Sequence, residues 1–345
     1  TSGATWLNIP NAPLDLSLNA SSASFQYGTS SLDGSATLDD GYHIVTGIKT
    51  TTDQFIYIDG QQDANQVAST SLTTGVDDLY LGSADGTAAG GWQGTVAELL
   101  IYRRALNATE RMIVDNYLAS KYGLNLPADY DHYDGDLEAN GDYDFDVAGI
   151  GRGNGSDHLT SVSSGMYITD AGNTIDEGEY IFVGHDNTYN QVTENELVTD
   201  IEARWSRSWY LDKTSGDGMD LKVSFDLSDG IDGSNPGDPA HYVLLYRSDA
   251  TGDFDQVTVA DQNIENDDQI WFEVSDENLQ DGYYTLGTKD KSNSPVGGGN
   301  TWYTYYEGDW DEWSHWTLNP DGSILKNPNR VVPGAADTVV VLNGT

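Results

Sequence analysis

Between residues 94 and 124 the pattern of apolar and polar residues changes from a continuous apolar run to the period of a helix. Residues 94–102 form a short, almost continuous apolar run rich in branched and aromatic side chains, which is typical of a strand buried on both faces. Asn107 and Glu110 then stand three residues apart at the head of a helical pattern, the spacing of a capping box. Gly123 predicts the end of that helix, because glycine tolerates positive φ. We therefore expect an interior strand that leads into a capped helix.

This strand-into-helix passage resembles the end of a laminin-G/concanavalin A-like jelly roll, in which a G-x-(I/V)-A-E-(V/L)-x-I-Y-x-R-A-L strand precedes a closing helix. Residues 42–45, 55–60 and 78–82 are similar to three further strands of the same family. The resemblance covers roughly residues 20–124 and implies a β-sandwich scaffold. Since this fold hosts lectins, adhesive modules, sugar-chain hydrolases and plain spacers, function has to be argued from sites.

Short strand-like segments return after residue 146, separated by Gly, Asp and Asn turns, as in an antiparallel sandwich. Residues 148–152, 183–187 and 204–211 resemble a β domain that often follows the jelly roll in large bacterial secreted surface proteins. The predicted fold is all-β, with tandem antiparallel β-sandwich domains. We expect the C-terminal part of a jelly roll with one closing α-helix over 1–124, an acidic linker over 125–146, an Ig-like or similar sandwich over 147–290, a flexible linker over 291–300 and the start of a further β domain over 301–345.

Arg204 and Arg207 alternate with Trp205 and Trp209 within the second predicted domain. Such spacing predicts a buried cation–aromatic ladder along one strand. A binding face is the alternative interpretation of the same residues.

The charge balance restricts the possible partners. The chain of 345 residues has 15 Lys and Arg against 56 Asp and Glu, a net charge of −41, and no cysteine. Nucleic acid is therefore not expected as a partner, because phosphate binding requires clustered cations. No apolar run approaches the ~20 residues of a membrane span, so membrane insertion is not expected either. Acid-rich β proteins with few lysines resemble secreted bacterial surface proteins, which predicts an extracellular or cell-surface location.

Oxygen-bearing side chains recur at alternate positions between residues 134 and 146, around a glycine at 141. Six to eight oxygen ligands suit Ca²⁺, and a tight loop of this kind can supply several. The match to an EF-hand loop is incomplete. Counted from Asp136, Gly141 is the sixth residue as required, but the twelfth is Val147 rather than glutamate. The segment is interpreted either as a Ca²⁺ site or as a solvated acidic linker. The candidate metal ligands are Asp134, Asp136, Asn140, Asp142 and Asp144.

No catalytic constellation emerges from the motifs, so the chain is predicted not to be an enzyme. It has no H-E-x-x-H sequence and no G-x-S-x-G nucleophile elbow. The E-x-D-x-x-E spacing of one hydrolase family with the jelly-roll fold occurs once, at Glu307, Asp309 and Glu312. It falls beyond the predicted second linker and outside the jelly roll.

Aromatic residues supply the remaining candidate site. Sugar rings stack on Trp and Tyr, while neighbouring Asp side chains accept hydroxyl hydrogen bonds. Asp33, Tyr42, Asp85 and Trp92 are the candidate ligand-binding residues at an edge of the first sandwich. The alternative interpretation of Trp92, and of Tyr102, is a core residue that flanks the predicted interior strand.

Three functional hypotheses from different classes follow. The first is an adhesion, carbohydrate-binding or spacer module, stabilised by Ca²⁺, with a polysaccharide or cell-surface glycan as partner. The second is a structural subunit of an extracellular fibre, in which an open sheet edge within residues 1–60 pairs with another copy. The third is an ancillary part of a secreted polysaccharide-degrading enzyme.

Overall fold

The computed structural model describes residues 4–9, 14–19, 21–71, 78–83, 92, 94–188, 192–214, 216, 218–227, 237–266, 268–294, 296, 301–319, 322–325, 327, 332–333 and 338–342. The chain divides into two compact units, unit 1 (Thr1–Asp131) and unit 2 (His132–Thr345). Each is built mainly of β-sheet, so the all-β prediction is confirmed. Within the described ranges, no helix is both long and apolar enough to cross a membrane.

The described part of unit 1 has eight strands and one helix. They are β1 Ala4–Ile9, β2 Leu14–Asn19, β3 Ser22–Tyr27, β4 Ser30–Asp33, β5 Val45–Lys49, β6 Asp53–Ile58, β7 Gln61–Val67, β8 Tyr80–Leu81 and α1 Ala108–Tyr122.

Two antiparallel sheets form the core of unit 1. The first has the order β4-β3-β2-β1-β8, and the second has the order β5-β6-β7. Alternate residues of β3 and β6 face inward, as a period of two requires, and place Phe25 and Ile56 in one cluster. The buried Gln54 amide donates a hydrogen bond to the Phe25 carbonyl at 3.1 Å, which links β6 to β3.

Helix α1 has the ends that the sequence predicts. The Asn107 side chain accepts from the Glu110 N–H at 2.8 Å, and the Glu110 carboxylate accepts from the Asn107 N–H at 2.9 Å. Gly123 ends the helix at φ 62°, in the left-handed region that favours glycine. The helix packs within unit 1, because Ala119 lies in a cluster with Ile44 and Leu126. The capping-box prediction is confirmed.

The prediction of an interior strand over residues 94–102 is wrong. The segment has no strand pairing with any residue that the structure describes, and Val96 and Ile101 are 50% and 57% exposed. Its polar contacts lead to the helix instead of a sheet, because Glu98 accepts hydrogen bonds from Lys121 and from the Tyr122 hydroxyl, each at 2.9 Å. We call residues 95–106 the strap.

The described part of unit 2 holds the remaining strands. They are β9 Phe145–Gly153, β10 Ser156–His158, β11 Thr160–Ser163, β12 Met166–Asp170, β13 Tyr180–His185, β14 Val192–Thr193, β15 Ala203–Trp205, β16 Trp209–Lys213, β17 Leu221–Asp226, β18 Tyr242–Arg247, β19 Asp255–Gln256, β20 Asp261–Glu265, β21 Gln269–Val274, β22 Gly282–Thr288, β23 Thr301–Thr304, β24 Trp316–Thr317 and β25 Thr338–Val340. Short 3₁₀ turns lie at Glu138–Asn140, Pro239–His241, Asp276–Asn278 and Trp313–His315.

Two sheets of unit 2 share one large apolar core. A nine-stranded sheet contains the path β10-β9-β13-β16-β22-β15-β14, with β18 on β22 and β19 on β18. A five-stranded sheet has the order β11-β12-β17-β21-β20. Trp209 of the first sheet donates to the Ser163 carbonyl of the second at 2.8 Å. A third sheet, β24-β23-β25, pairs β23 and β25 in parallel.

The predicted cation–aromatic ladder is only partly confirmed. Trp205 and Trp209 are fully buried, as expected for core residues, but residues 206–208 separate β15 from β16, so the four residues do not share a strand. The Arg204 guanidinium lies 4.7 Å from the centroid of the Phe254 ring, and that of Arg207 lies 5.9 Å from Trp209. The aromatic partner of Arg204 is therefore Phe254, which is distant in the sequence and is not part of the local Arg/Trp pattern.

The acidic segment is not solvated along its whole length. Tyr133 and Tyr143 are 1% and 5% exposed, and the Tyr133 hydroxyl donates to the Tyr143 carbonyl at 2.6 Å. The Tyr283 hydroxyl donates to the Asn140 carbonyl at 2.8 Å. These buried tyrosines attach the segment to the nine-stranded sheet. They are not evident from the sequence, because acidic residues surround them.

The predicted linker over 291–300 is folded in its described part. Asp290 accepts hydrogen bonds from Ser292 and Asn293, and Ser294 is 1% exposed. Val296 belongs to the core of unit 2. The prediction of a flexible linker is wrong for these residues; positions 295 and 297–300 lie outside the described residues.

Candidate functional site

Unit 1 contains a cavity of about 730 Å³. Its apolar walls come from strands of both sheets, from the strap and from α1. The strands contribute Leu16 and Ile48, the strap contributes Leu99, and the helix contributes Leu118. Sites for small molecules are concave, mostly apolar and of ~300–1,000 Å³. The cavity has the size and lining of such a site.

Aromatic rings stand at the cavity. Tyr42 and Tyr102 line it and are 56% and 47% exposed, and Trp92 lines it as well. The backbone N–H of Trp92 donates to the Gly82 carbonyl at 2.8 Å. A Cβ at Gly94 would come within 2.7 Å of the Trp92 ring, so the glycine lets the ring lie flat against the chain.

A histidine held between two carboxylates forms one polar edge. His43 Nδ1 lies 2.8 Å from Asp59 Oδ2, and His43 Nε2 lies 3.2 Å from Asp39 Oδ1. The second oxygen of Asp59 accepts from the Ile44 N–H at 2.8 Å. Burial opposes protonation of His43, but the bonds and charges of Asp59 and Asp39 outweigh it and raise the pKa of His43. The imidazole is therefore held toward its cationic form.

Arg111 and Asp115 of α1 form a buried ion pair. Arg111 Nη1 donates to Asp115 Oδ2 and to the Gly60 carbonyl, both at 2.8 Å, and the guanidinium lies 4.1 Å from the centroid of the Tyr57 ring. Burial raises the pKa of Asp115 to about 6, although Arg111 opposes this shift. Arg111 is thus held by contacts within the fold.

The strap is fastened to the helix through Glu98 and Arg104. Glu98 accepts from Lys121 and Tyr122, and burial, which would raise its pKa, is outweighed by these contacts, so the pKa of Glu98 is lowered. Arg104 binds both carboxylate oxygens of Glu110 at 2.5 and 2.6 Å. Two ion pairs therefore hold the two ends of the strap beside the cavity.

The structure brings together two of the four predicted ligand-binding residues. Tyr42 and Trp92 line the same cavity. Asp33 is an exposed residue of β4, paired in register with Ser24, and is not part of the cavity lining. Asp85 lies outside the described residues.

The five predicted metal ligands lie along the segment that the tyrosines fix. The Asp134 carbonyl accepts from the Asn140 amide at 2.8 Å, and burial together with the charge of Asp142 raises the pKa of Asp144. Among the described residues, no group of three or more His, Asp or Glu side chains is arranged to hold a metal ion. Calcium binding stays a prediction.

The acidic triplet of residues 307–312 is placed differently from a glycosidase pair. Glu307, Asp309 and Glu312 are exposed and lie between β23 and β24, where no strand holds them on one face.

The sandwich of unit 1 and its lined cavity define a concanavalin A-like module. Residues 2–110 match the family model described as Concanavalin A-like lectin/glucanases superfamily. Residues 110–282, half of the chain, match the model described as Domain of unknown function (DUF8202), and the chain belongs to that family. No curated protein and no solved structure gives a significant match. The two family matches meet at residue 110, within a helix that packs in unit 1.

Sequence reasoning missed most of the polar residues at the cavity. Arg111 and Asp115 have an i,i+4 spacing, which usually indicates a solvent-exposed helix pair. Only their burial, set by contacts with β6 and the turn after it, distinguishes them. His43 belonged to a strand-like motif, and its two carboxylate partners lie 4 and 16 residues away.

Proposed function

We propose that unit 1 is a carbohydrate-binding module of an extracellular bacterial protein and that a sugar chain occupies its cavity. The superfamily of residues 2–110 supports this function at the level of the fold. The cavity supports it at the level of the site, since its volume of about 730 Å³ suits several sugar rings in contact with apolar and aromatic walls.

The observation that carries the proposal is the placement of the aromatic rings. Tyr42 and Tyr102 are about half exposed at the cavity, and Trp92 lines the same cavity. Exposed apolar surface that is contiguous with a cavity marks binding sites in soluble proteins. Tyrosine and tryptophan present a flat apolar face and a polar edge, which matches the face and the hydroxyl rim of a sugar ring.

Binding to an array of neutral and charged glycans tests the proposal, with the full chain and with Trp92→Ala and Tyr42→Ala. Loss of one stacking ring removes about 1.4 kcal/mol, so each variant is expected to bind about tenfold more weakly. Tyr306→Ala is the matched control, because Tyr306 is 59% exposed and belongs to unit 2. Absence of any glycan signal, or equal binding by all four proteins, contradicts the proposal.

The array also tests calcium and catalysis. Glycan binding is measured in millimolar Ca²⁺ and in EDTA to show whether the predicted ion contributes to it. Equal binding in both conditions removes calcium from the proposed function. Chromatography of the sugars after incubation tests the prediction that the chain is not an enzyme. Shortened sugar chains would contradict that prediction.

A fibre subunit is the second candidate, and the strap supports it. Leu99, Leu100 and Ile101 are 38%, 38% and 57% exposed in a continuous run. Such a run can associate with a second copy. Light scattering of the full chain separates the two candidates, since a monomer at all concentrations contradicts the fibre. The third hypothesis, an ancillary part of a polysaccharide-degrading enzyme, stays a prediction.

A further inference from the structure

The cations of unit 1 are concentrated at its cavity. Residues 1–131 contain fifteen Asp and Glu residues but only five Lys and Arg residues. Four of these five cations line the cavity, against three of the fifteen acids. Such a distribution does not follow from the composition, which is strongly acidic. The cations are Lys49, Arg103, Arg104, Arg111 and Lys121, of which Lys121 is the one outside the lining.

Two of the three carboxylates of the lining are paired with a cation. Glu98 is bound by Lys121, which itself lies outside the lining, and Asp115 is bound by Arg111. The third, Asp39, accepts from the Gly41 N–H at 2.6 Å and shares the His43 ring with Asp59, so it keeps negative charge. Glu98 and Asp115 therefore repel a negatively charged ligand less than free carboxylates would.

Two cations at the cavity have no carboxylate partner among the described residues. Arg103 is exposed and makes no hydrogen bond or ion pair with any residue that the structure describes. The Lys49 ammonium donates to the Thr50 carbonyl and lies 5.7 Å from the centroid of the Tyr27 ring. In a chain with net charge −41, two cations that no described carboxylate neutralises make a local positive site at the cavity.

We propose that the cavity binds a polysaccharide whose sugars carry carboxylate groups, with Arg103 and Lys49 as the residues that bind them. This inference rests on the proposed function and names its ligand class. The planar guanidinium of Arg103 matches a planar carboxylate in a two-pronged hydrogen bond, and the Lys49 ammonium supplies a compact charge. The apolar walls and the aromatic rings bind the faces of the sugar rings between them.

The overall charge does not oppose such a ligand at physiological salt. The Debye length is about 8 Å at 0.15 M ionic strength, so charges farther away are largely screened. A short uronate chain in the cavity therefore interacts with the cations of the lining rather than with the acids on the rest of the surface.

Calorimetric titration of the full chain at 0.15 M NaCl tests the inference. The probes are a galacturonic acid oligomer, the same oligomer with its carboxyl groups reduced to alcohols, and a sulfated galactose oligomer. We expect the uronate to bind at least tenfold more tightly than the reduced oligomer. Equal affinity for both, or binding of the sulfated oligomer alone, overturns the inference.

Variants assign the effect to the two cations. Arg103→Gln and Lys49→Gln are each expected to weaken uronate binding by about tenfold, the value of one charge-assisted bond, and to leave binding of the reduced oligomer unchanged. Lys289→Gln is the control, since Lys289 is exposed in unit 2. Unchanged uronate affinity in both cavity variants overturns the assignment.

The ligand class and the carbohydrate-binding function are tested separately by these measurements. If the chain binds neutral glycans without preference for uronate, and Trp92→Ala abolishes that binding, the ligand class is refuted and the carbohydrate-binding function stands. A chain that binds no sugar refutes both.

Discussion

Arg111 and Asp115 have a structural role beside the cavity. Both are buried, at 6% and 1% exposure, and the pair also ties α1 to the Gly60 carbonyl. Removal of one partner of a buried ion pair typically costs about 3–5 kcal/mol, because the other charge is left uncompensated. Arg111 is therefore a poor candidate for sugar binding, although it borders the cavity, and the exposed Arg103 is the better one.

His43 makes the stability of unit 1 dependent on pH. Its pKa in the folded state lies above the usual value of 6.5, because the bonds and charges of Asp59 and Asp39 outweigh the effect of burial. The stabilisation by the protonated ring is complete below pH 6.5 and is lost as the pH rises through the folded pKa. Burial raises the pKa of Asp115 from 3.8 to about 6. Its protonated form therefore also stabilises the fold at low pH, and this contribution is lost as the pH rises through about 6.

We predict that His43→Gln lowers the melting temperature more at pH 5.5 than at pH 8.5. Asp115 is present in both proteins, so the difference between wild type and variant isolates the histidine. The measurement is thermal unfolding of the full chain at both pH values. His158→Gln, on β10 of unit 2, serves as the control for loss of an imidazole. An effect of His43→Gln that is the same at both pH values contradicts the role assigned to the Asp59–His43–Asp39 contacts.

At the scale of elements, α1 organises the cavity by holding the strap. Lys121 binds Glu98 near one end of the strap, and Glu110 binds Arg104 near the other. Glu110 also closes the capping box with Asn107, so the first turn of the helix and the position of the strap depend on the same carboxylate. Fraying of this turn would loosen the strap.

Asn107→Ala is expected to lower the free energy of local opening of α1 by about 1 kcal/mol, the usual value of an N-cap side chain. Asn107→Asp retains an accepting oxygen and should stay close to wild type. Hydrogen exchange of peptides from residues 108–122 measures this quantity within the full chain. Equal exchange in the alanine variant and the wild type would show that the cap does not hold the helix.

Elements governed by local pattern were predictable from the sequence. The capping box follows from two residues three apart, and β9, β13, β17, β18 and β22 follow from short apolar runs between turn residues. The apolar run over 94–102 has the same appearance, but a strand also requires a partner strand, and Glu98 is bound to the helix instead. Strand propensity depends on such context more than helix propensity does.

The candidate site was predictable only in part, for a related reason. Tyr42 and Trp92 could be named as glycan candidates because an aromatic residue type is by itself a candidate for stacking on a sugar ring. The cations could not be named, since Lys49 and Arg103 lie 54 positions apart in the sequence and line the same cavity only in the folded chain. Tyr133 and Tyr143 were likewise hidden among acids, although both are core residues of unit 2.

At the scale of the whole molecule, charge and apolar surface are divided between different regions. The net charge of −41 favours solubility and disfavours nucleic acid. Unit 2 buries a continuous core between two sheets, whereas unit 1 keeps a cavity of about 730 Å³ with cations around it. The division supports a binding role for unit 1.

The most direct test locates the bound sugar on the full chain. Hydrogen–deuterium exchange with and without the strongest-binding oligosaccharide of the array should show protection of peptides that cover residues 42–49 and 95–106, because these segments line the cavity. Peptides of unit 2 should exchange at unchanged rates. Protection confined to unit 2, or unchanged exchange in both segments at saturating sugar, would contradict a carbohydrate site in this cavity.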